Sequence, residues 1–200
     1  MKTQLLSFCL MLLLINCGQD KKKDEEAIAF QTKLNEEFSN KDESPLTEED
    51  LASFSKLNFF PVDSDYRVTA KLIFHQDSKP FKMATTTDRL PVYSLYATAS
   101  FNLKGKACQL EIYQSEKLTL TTEYEDYLFL PFTDKTNGET SYGGGRYIDL
   151  RIPEGDEIII DFNQAYNPYC AYNKKYSCPI PTKKNHLDLE VKAGVMAYKH

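Results

Sequence analysis

The chain has 200 residues, with 24 Lys and Arg against 29 Asp and Glu and a formal net charge of −5. Both signs are mixed along it and no basic block interleaves with aromatics, which argues against nucleic-acid binding. The length suits one domain, and a mature chain of about 180 residues buries about 70% of its unfolded surface.

At the N-terminus Lys2 supplies a positive start, and Leu5 to Ile15 is an apolar run of eleven residues. Such a run matches a signal-peptide core and falls short of the ~20 residues that span a bilayer. Leu14-Ile15-Asn16-Cys17 resembles a bacterial lipobox, with Asn16 where a small residue is usual. Residues 1–16 are thus expected to be a signal peptide and Cys17 a lipidation site, with a signal peptide cut elsewhere as the alternative. Two or more acyl chains, palmitate among them, suffice for stable anchoring. Residues 17–26 then form the lipidated Cys and a polar tether, three lysines followed by Asp24-Glu25-Glu26. The expected location is the bacterial cell envelope, at the periplasmic face or the cell surface.

Residues 27–200 are read as a single β-rich domain, with a helical brace over 27–54 and strands over 66–198. Asp24 to Asn40 carries Phe30, Leu34 and Phe38 at four-residue spacing, the mark of an amphipathic helix. Ser44-Pro45-Leu46 breaks it, and Thr47 with Asp50 three residues on suits the cap of a second, short helix. From Tyr66 the period changes to two: Val68, Ala70, Leu72 and Phe74 alternate with Arg67, Thr69 and Lys71. Strand-like runs follow at 81–87, 92–103, 108–114, 127–132, 147–152, 158–163 and 187–191. Seven to eight short strands with no helical pattern between them predict a mainly β fold, an antiparallel β-sandwich or partly open barrel with one or two N-terminal helices.

The strands at 147–152 and 158–163 read as a hairpin through Pro153-Glu154-Gly155-Asp156-Glu157. Placing Ile148, Leu150 and Ile152 on the same side as Ile158, Ile160 and Phe162 sets Asp149 opposite Asp161 and Tyr147 opposite Asn163. Opposed residues have Cβ atoms about 5 Å apart, where two carboxylates need compensation from Arg146, Arg151, a cation or a shared proton. Asp149 and Asp161 are therefore the catalytic candidates, since carboxylates near 5 Å suit a retaining glycosidase. The bland alternative is an exposed pair screened by water and the arginines.

Beyond that hairpin, Tyr166, Tyr169, Tyr172 and Tyr176 offer flat apolar faces with polar tips, as a sugar or peptide platform does. Asn167 and Asn173 suit local turns around Pro168. The alternative is a loop folded over a sheet end, its tyrosines bonded to buried backbone. Gly143-Gly144-Gly145 precedes a strand rather than a helix, so it permits a tight turn instead of cradling phosphate, with Arg146 beside it as an anion contact. For an exported chain Cys170 and Cys178 are natural disulfide partners, and Cys108, on a strand face with Leu110 and Ile112, reads as a buried small hydrophobe. The seven-residue gap between Cys170 and Cys178 does not suit structural zinc, and no motif calls for a metal or cofactor.

Gly143–Leu150, Asp161–Asn173 and Tyr176–Pro181, together with Ser44–Leu46, Asn58–Asp63 and Tyr66–Val68, resemble a bacterial family catalogued as domain of unknown function 1684. The resemblance covers most of residues 24–198. It implies weight on the C-terminal block and carries no activity with it. The leading expectation is a lipid-anchored module binding glycan or peptide through Arg146, Arg151, Asn163, Tyr166, Asn167, Tyr169, Tyr172 and Tyr176. The alternatives are a hydrolase using Asp149 and Asp161, and a purely structural envelope protein.

Overall fold

A computed structural model describes residues 22 and 24–199; the expected signal peptide and Cys17 lie outside the described residues. Residues 24–39 form helix α1, with Ala27, Leu34 and Phe38 buried along one face as their spacing requires. Helix α2, Glu48–Ser53, starts where expected: the Thr47 hydroxyl oxygen accepts from the Asp50 amide at 3.1 Å and donates to its carboxylate at 2.7 Å. Three acidic residues in its first turn favour the positive helix end.

Eight strands follow: β1 Arg67–Phe74, β2 Phe81–Lys82, β3 Val92–Leu103, β4 Lys106–Ser115, β5 Tyr127–Asp134, β6 Arg146–Arg151, β7 Glu157–Asp161 and β8 His186–Leu187. They make one curled sheet, a half-barrel, in the order β6-β5-β4-β3-β1-β7, with β2 beside β3 and β8 beside β5. All pairings are antiparallel except β5 with β8. The partly open barrel is therefore the expected architecture that the chain adopts.

The predicted hairpin does not form. β6 pairs with β5, setting Asp149 against Phe129, and β7 pairs with β1, setting Asp161 against Arg67. Alternation dictates which side chains face the interior, not which strand lies alongside. Ile148 and Leu150 share one core with Ile158, Ile160 and Phe162, so curling the sheet meets the same constraint from opposite edges. The edge strands are linked by a bridge between Tyr147 and Tyr166, whose amides and carbonyls exchange bonds at 2.9 and 3.0 Å.

Three expected strands are cut short by side chains that capture backbone groups. Beyond β2, Thr85 donates to the Arg89 carbonyl at 2.6 Å and turns the chain. At the end of β7 the Asp161 carboxylate accepts from the Asn163 amide at 3.0 Å and starts a 3-10 turn, Phe162–Gln164. After β8 the tail lends the carbonyls of Val191, Ala193 and Val195 to the guanidinium of Arg146 rather than to a neighbouring strand.

Strand β5 shows how the site arises. Leu128, Leu130 and Phe132 point into the main core, while Phe129 joins Met83, Tyr93, Tyr113 and Tyr147 in a second cluster on the other face. Helix α1 and the loop at 166–180 stand over that aromatic face.

Candidate functional site

Strand β6 has two faces with opposite fates. Arg146, Ile148 and Leu150 are buried on one, while Tyr147, Asp149 and Arg151 occupy the other. Asp149 Oδ1 accepts from the hydroxyl of Tyr127 at 2.7 Å and from that of Tyr166 at 2.6 Å. Its carboxylate remains open to solvent but is surrounded by a concave wall of protein. The surrounding protein pushes its pKa above the ordinary carboxylate value, against lowering by the hydroxyls of Tyr166 and Tyr127 and the charge of Arg151. Burial and the Asp149 charge push both phenol pKa values upward, so both hydroxyls stay protonated donors.

A cavity of about 430 Å³ opens over this carboxylate. Its floor is the aromatic sheet face: Tyr93, Tyr127, Phe129 and Tyr147. One wall is α1, through Phe30, Lys33, Leu34 and Glu37, and the other is the loop, through Tyr166, Pro168, Tyr169 and Tyr176–Pro179. The rings of Tyr93, Phe129, Tyr147 and Tyr166 follow one another with centroids 5.6, 4.8 and 5.8 Å apart, the last two contacts edge-to-face. Tyr169 and Tyr176 pack together at 5.2 Å. A second hollow of about 590 Å³ adjoins, bordered by Arg67, Glu123, Asp149, Arg151 and Asp161.

On the inner face of β6, Arg146 is fully buried and carries a different chemistry. Its Nη2 donates to Asp134 Oδ2 at 2.8 Å and to the Val191 carbonyl at 2.8 Å, while Nη1 donates to the Ala193 carbonyl. The rings of Phe132 and Phe60 flank the guanidinium at 5.3 and 5.9 Å. The other Asp134 oxygen accepts from Thr136 and from the Val191 amide. Gly145, at φ +91°, brings the chain against β5 so closely that a Cβ would lie 2.6 Å from the Phe132 carbonyl oxygen. The glycine run thus makes the tight approach its sequence suggests, and it seats Arg146.

The expected site residues separate into two groups. Asp149, Tyr166, Tyr169 and Tyr176 come together at the cavity, and Arg151 and Asp161 border the adjoining hollow. Arg146 is no anion contact, because the core and Asp134 enclose it. Asn163 is buried, bonding the amide and carbonyl of Asp63 and the Asp161 carboxylate. Asn167 is buried with its amide on the Met196 carbonyl. Tyr172 is buried against Phe38 at 4.7 Å and Tyr198 at 5.1 Å, where it holds α1 in place. Arg146 on β6 and Asn163 and Asn167 in turned chain give their polar groups to nearby backbone, while Tyr172 gives its ring to the packing under α1.

Asp161 likewise has its partners in place. Its carboxylate accepts from Arg67 Nη1 at 3.0 Å, and Arg67 also reaches Glu26 at 2.9 Å. Asp149 and Asp161 therefore stand on separate edge strands, each with its own partners, rather than opposed across a hairpin.

Cys170 and Cys178 are free thiols, with no disulfide between them. The Cys170 amide donates to Cys178 Sγ at 3.2 Å. The loop is pinned instead by backbone: the Thr86 amide donates to the Cys178 carbonyl at 2.9 Å, and the Ile180 amide to that of Ala84 at 2.9 Å. Hydrogen bonding to Cys178 lowers the Cys170 pKa to about 6. Cys108, also a free thiol, is partly buried against the core.

The residues missed from the sequence are Tyr93, Tyr127, Phe129 and Tyr147, along with Phe30 and Glu37 of α1. The available signal was alternation itself, since Tyr127 and Phe129 fall on the strand face opposite Leu128 and Leu130.

Residues 52–196 match the model of a family described as protein of unknown function, DUF1684, and the chain belongs to that family. Among solved structures it is similar to the solution NMR structure of an uncharacterised protein of Haloarcula marismortui. The two are 35% identical, with a TM-score of 0.70 over 90% of this chain and 96% of that one. That neighbour comes from an archaeon, and nothing in the likeness makes the family a bacterial one. None of the curated proteins matches the chain.

Proposed function

We propose that this protein is a ligand-binding module, held at the cell envelope through lipidated Cys17, whose site is the tyrosine-lined cavity over Asp149. The observation that carries this reading is the convergence of three separate elements, α1, the outer sheet face and the 166–180 loop, on one open carboxylate that two tyrosine hydroxyls orient. A concave site rich in aromatic rings with a few placed polar groups is the usual form of a small-ligand pocket. A glycan or a peptide is the ligand expected. The hydrolase alternative is weaker, because the opposed carboxylate pair on which it rested is replaced by β5–β6 and β1–β7 pairing.

The chain has 13 tyrosines and no tryptophan, so its intrinsic fluorescence reports on tyrosine. Saturable fluorescence change on titrating the full-length protein in detergent micelles with oligosaccharides and short peptides is the expected result. Tyr169→Ala with Tyr176→Ala should weaken it without lowering the melting temperature appreciably. A flat titration across the whole panel rejects the module. Incorporation of labelled palmitate that disappears in Cys17→Ser is the expected result for the anchor.

A further inference from the structure

We infer that the cavity receives an organic cation, an alkylammonium group on the ligand, with Asp149 as its counter-charge and the surrounding rings as its walls. This rests on the reading of the cavity as a ligand site and names what the site selects.

The first argument is the distribution of charge partners. Among the described residues Asp63, Asp126, Asp134, Asp156, Asp161 and Asp188 each have a Lys or Arg nitrogen within 3.0 Å. Asp149, the one aspartate lining the cavity, has none: its hydrogen bonds come from the two phenol hydroxyls. Arg151, two residues along the same face, turns instead to Asp126 at 2.6 Å and to the Glu123 carbonyl at 2.8 Å. A carboxylate crowded by protein, with no cation bonded to it and only the more distant charge of Arg151 acting on it, is stabilised by any cation that reaches it; burial is what raises its pKa.

The second argument is what the tyrosines leave available. The hydroxyls of Tyr127 and Tyr166 donate to Asp149, and that of Tyr147 donates to the Pro179 carbonyl. A neutral sugar needs many free donors and acceptors, whereas these groups are already engaged. Around the carboxylate what remains is ring surface beside a negative charge, and among the described residues the hydroxyls of Tyr93, Tyr169 and Tyr176 are the polar tips the lining leaves unengaged. Aromatic faces attract cations within about 6 Å, by roughly 0.5–2 kcal/mol per contact. At the mouth Lys33 is held by Glu37 at 3.7 Å, so the charge that remains over is negative.

The test titrates full-length protein in micelles at neutral pH with choline and with n-butylamine, each read by tyrosine fluorescence. The neutral isostere 3,3-dimethylbutan-1-ol and a neutral chitooligosaccharide form the control arms. At least one cation should saturate the signal, and the isostere should bind at least about tenfold more weakly, the equivalent of one cation–carboxylate or cation–π contact. Asp149→Asn should cut cation affinity by a similar factor without lowering the melting temperature. An isostere that binds as tightly as choline overturns the inference in the wild-type protein, whatever the variant does. Saturation by the chitooligosaccharide alone overturns it too but leaves the ligand-binding module standing. Silence in all four arms removes both.

Discussion

Arg146 and Asp149 sit three residues apart on one strand, and the two faces of that strand solve the same electrostatic problem in opposite ways. Inside, the guanidinium of Arg146 meets Asp134 and the carbonyls of the C-terminal tail, with the site fully closed to water. Outside, Asp149 meets two phenols and an open cavity, with no cation of the described residues bonded to it. The inner pair joins β5, β6 and the tail into one body. The outer carboxylate joins little and is left to face what enters. With the buried pair on one face of the strand and the cavity on the other, the lining of the cavity can vary without disturbing the core.

Breaking the inner face should have the largest effect. Asp134→Ala leaves a buried guanidinium without its counter-charge and should cost about 3–5 kcal/mol, read as a lower denaturant midpoint. Replacing both partners, Asp134→Leu with Arg146→Met, should recover part of that loss, since a buried pair contributes less than its broken half costs. A double variant no better than the single one would show that Arg146 acts chiefly through the tail carbonyls. The tail itself can be moved at Gly194, at φ +74°, where a Cβ would lie 2.5 Å from the Ala165 carbonyl oxygen. Gly194→Ala should cost about 1–3 kcal/mol by strain in the backbone that delivers those carbonyls.

The contrast between the two faces was only partly legible in the sequence. Alternation through Ile148, Leu150, Ile158, Ile160 and Phe162 placed the core side of both strands correctly, because burial depends on period, but Ile152, expected on the same side, lies past the end of β6 and is exposed. Partner choice depends on long-range topology, so the adjacent runs suggested a hairpin where β5 and β1 are the true neighbours. The Tyr-rich loop was recognisable by composition, and three of its four tyrosines reach the cavity. Tyr172 does not, since nothing in its local sequence tells which ring will pack under a helix more than a hundred residues away in the chain. The sheet rings were missed because Tyr127 and Phe129 look like ordinary strand formers until α1 and the loop are folded over them.

On the outer face the effects should be smaller. Tyr127→Phe and Tyr166→Phe each remove one hydrogen bond to a solvent-reached carboxylate, at a cost of about 1 kcal/mol. Because those bonds lower the Asp149 pKa, each variant should raise it further, measurable from the carboxyl carbon shift as pH is varied. An unchanged titration would mean that the hydroxyls orient Asp149 without bearing its charge. Equal destabilisation of Asp149→Asn and Asp134→Ala would erase the distinction between the faces.

The smallest effect is the pH dependence of the Asp149→Asn variant. The folded pKa of Asp149 lies above its ordinary value of 3.8, so the protonated form is the one folding favours. Its contribution to stability is fully present below 3.8 and is lost as pH rises through the raised folded value. The substituted amide carries no charge at any pH. Asp149→Asn should therefore match the wild-type melting temperature at the acid end and exceed it slightly above the folded pKa, where the gap levels off. A gap in the opposite direction at neutral pH would mean that the two phenols outweigh the crowding around the carboxylate. Addition of the cation that the site selects should close the gap from the wild-type side, because only the charged carboxylate gains a partner. A cation that raises both melting temperatures equally would be held by the rings alone.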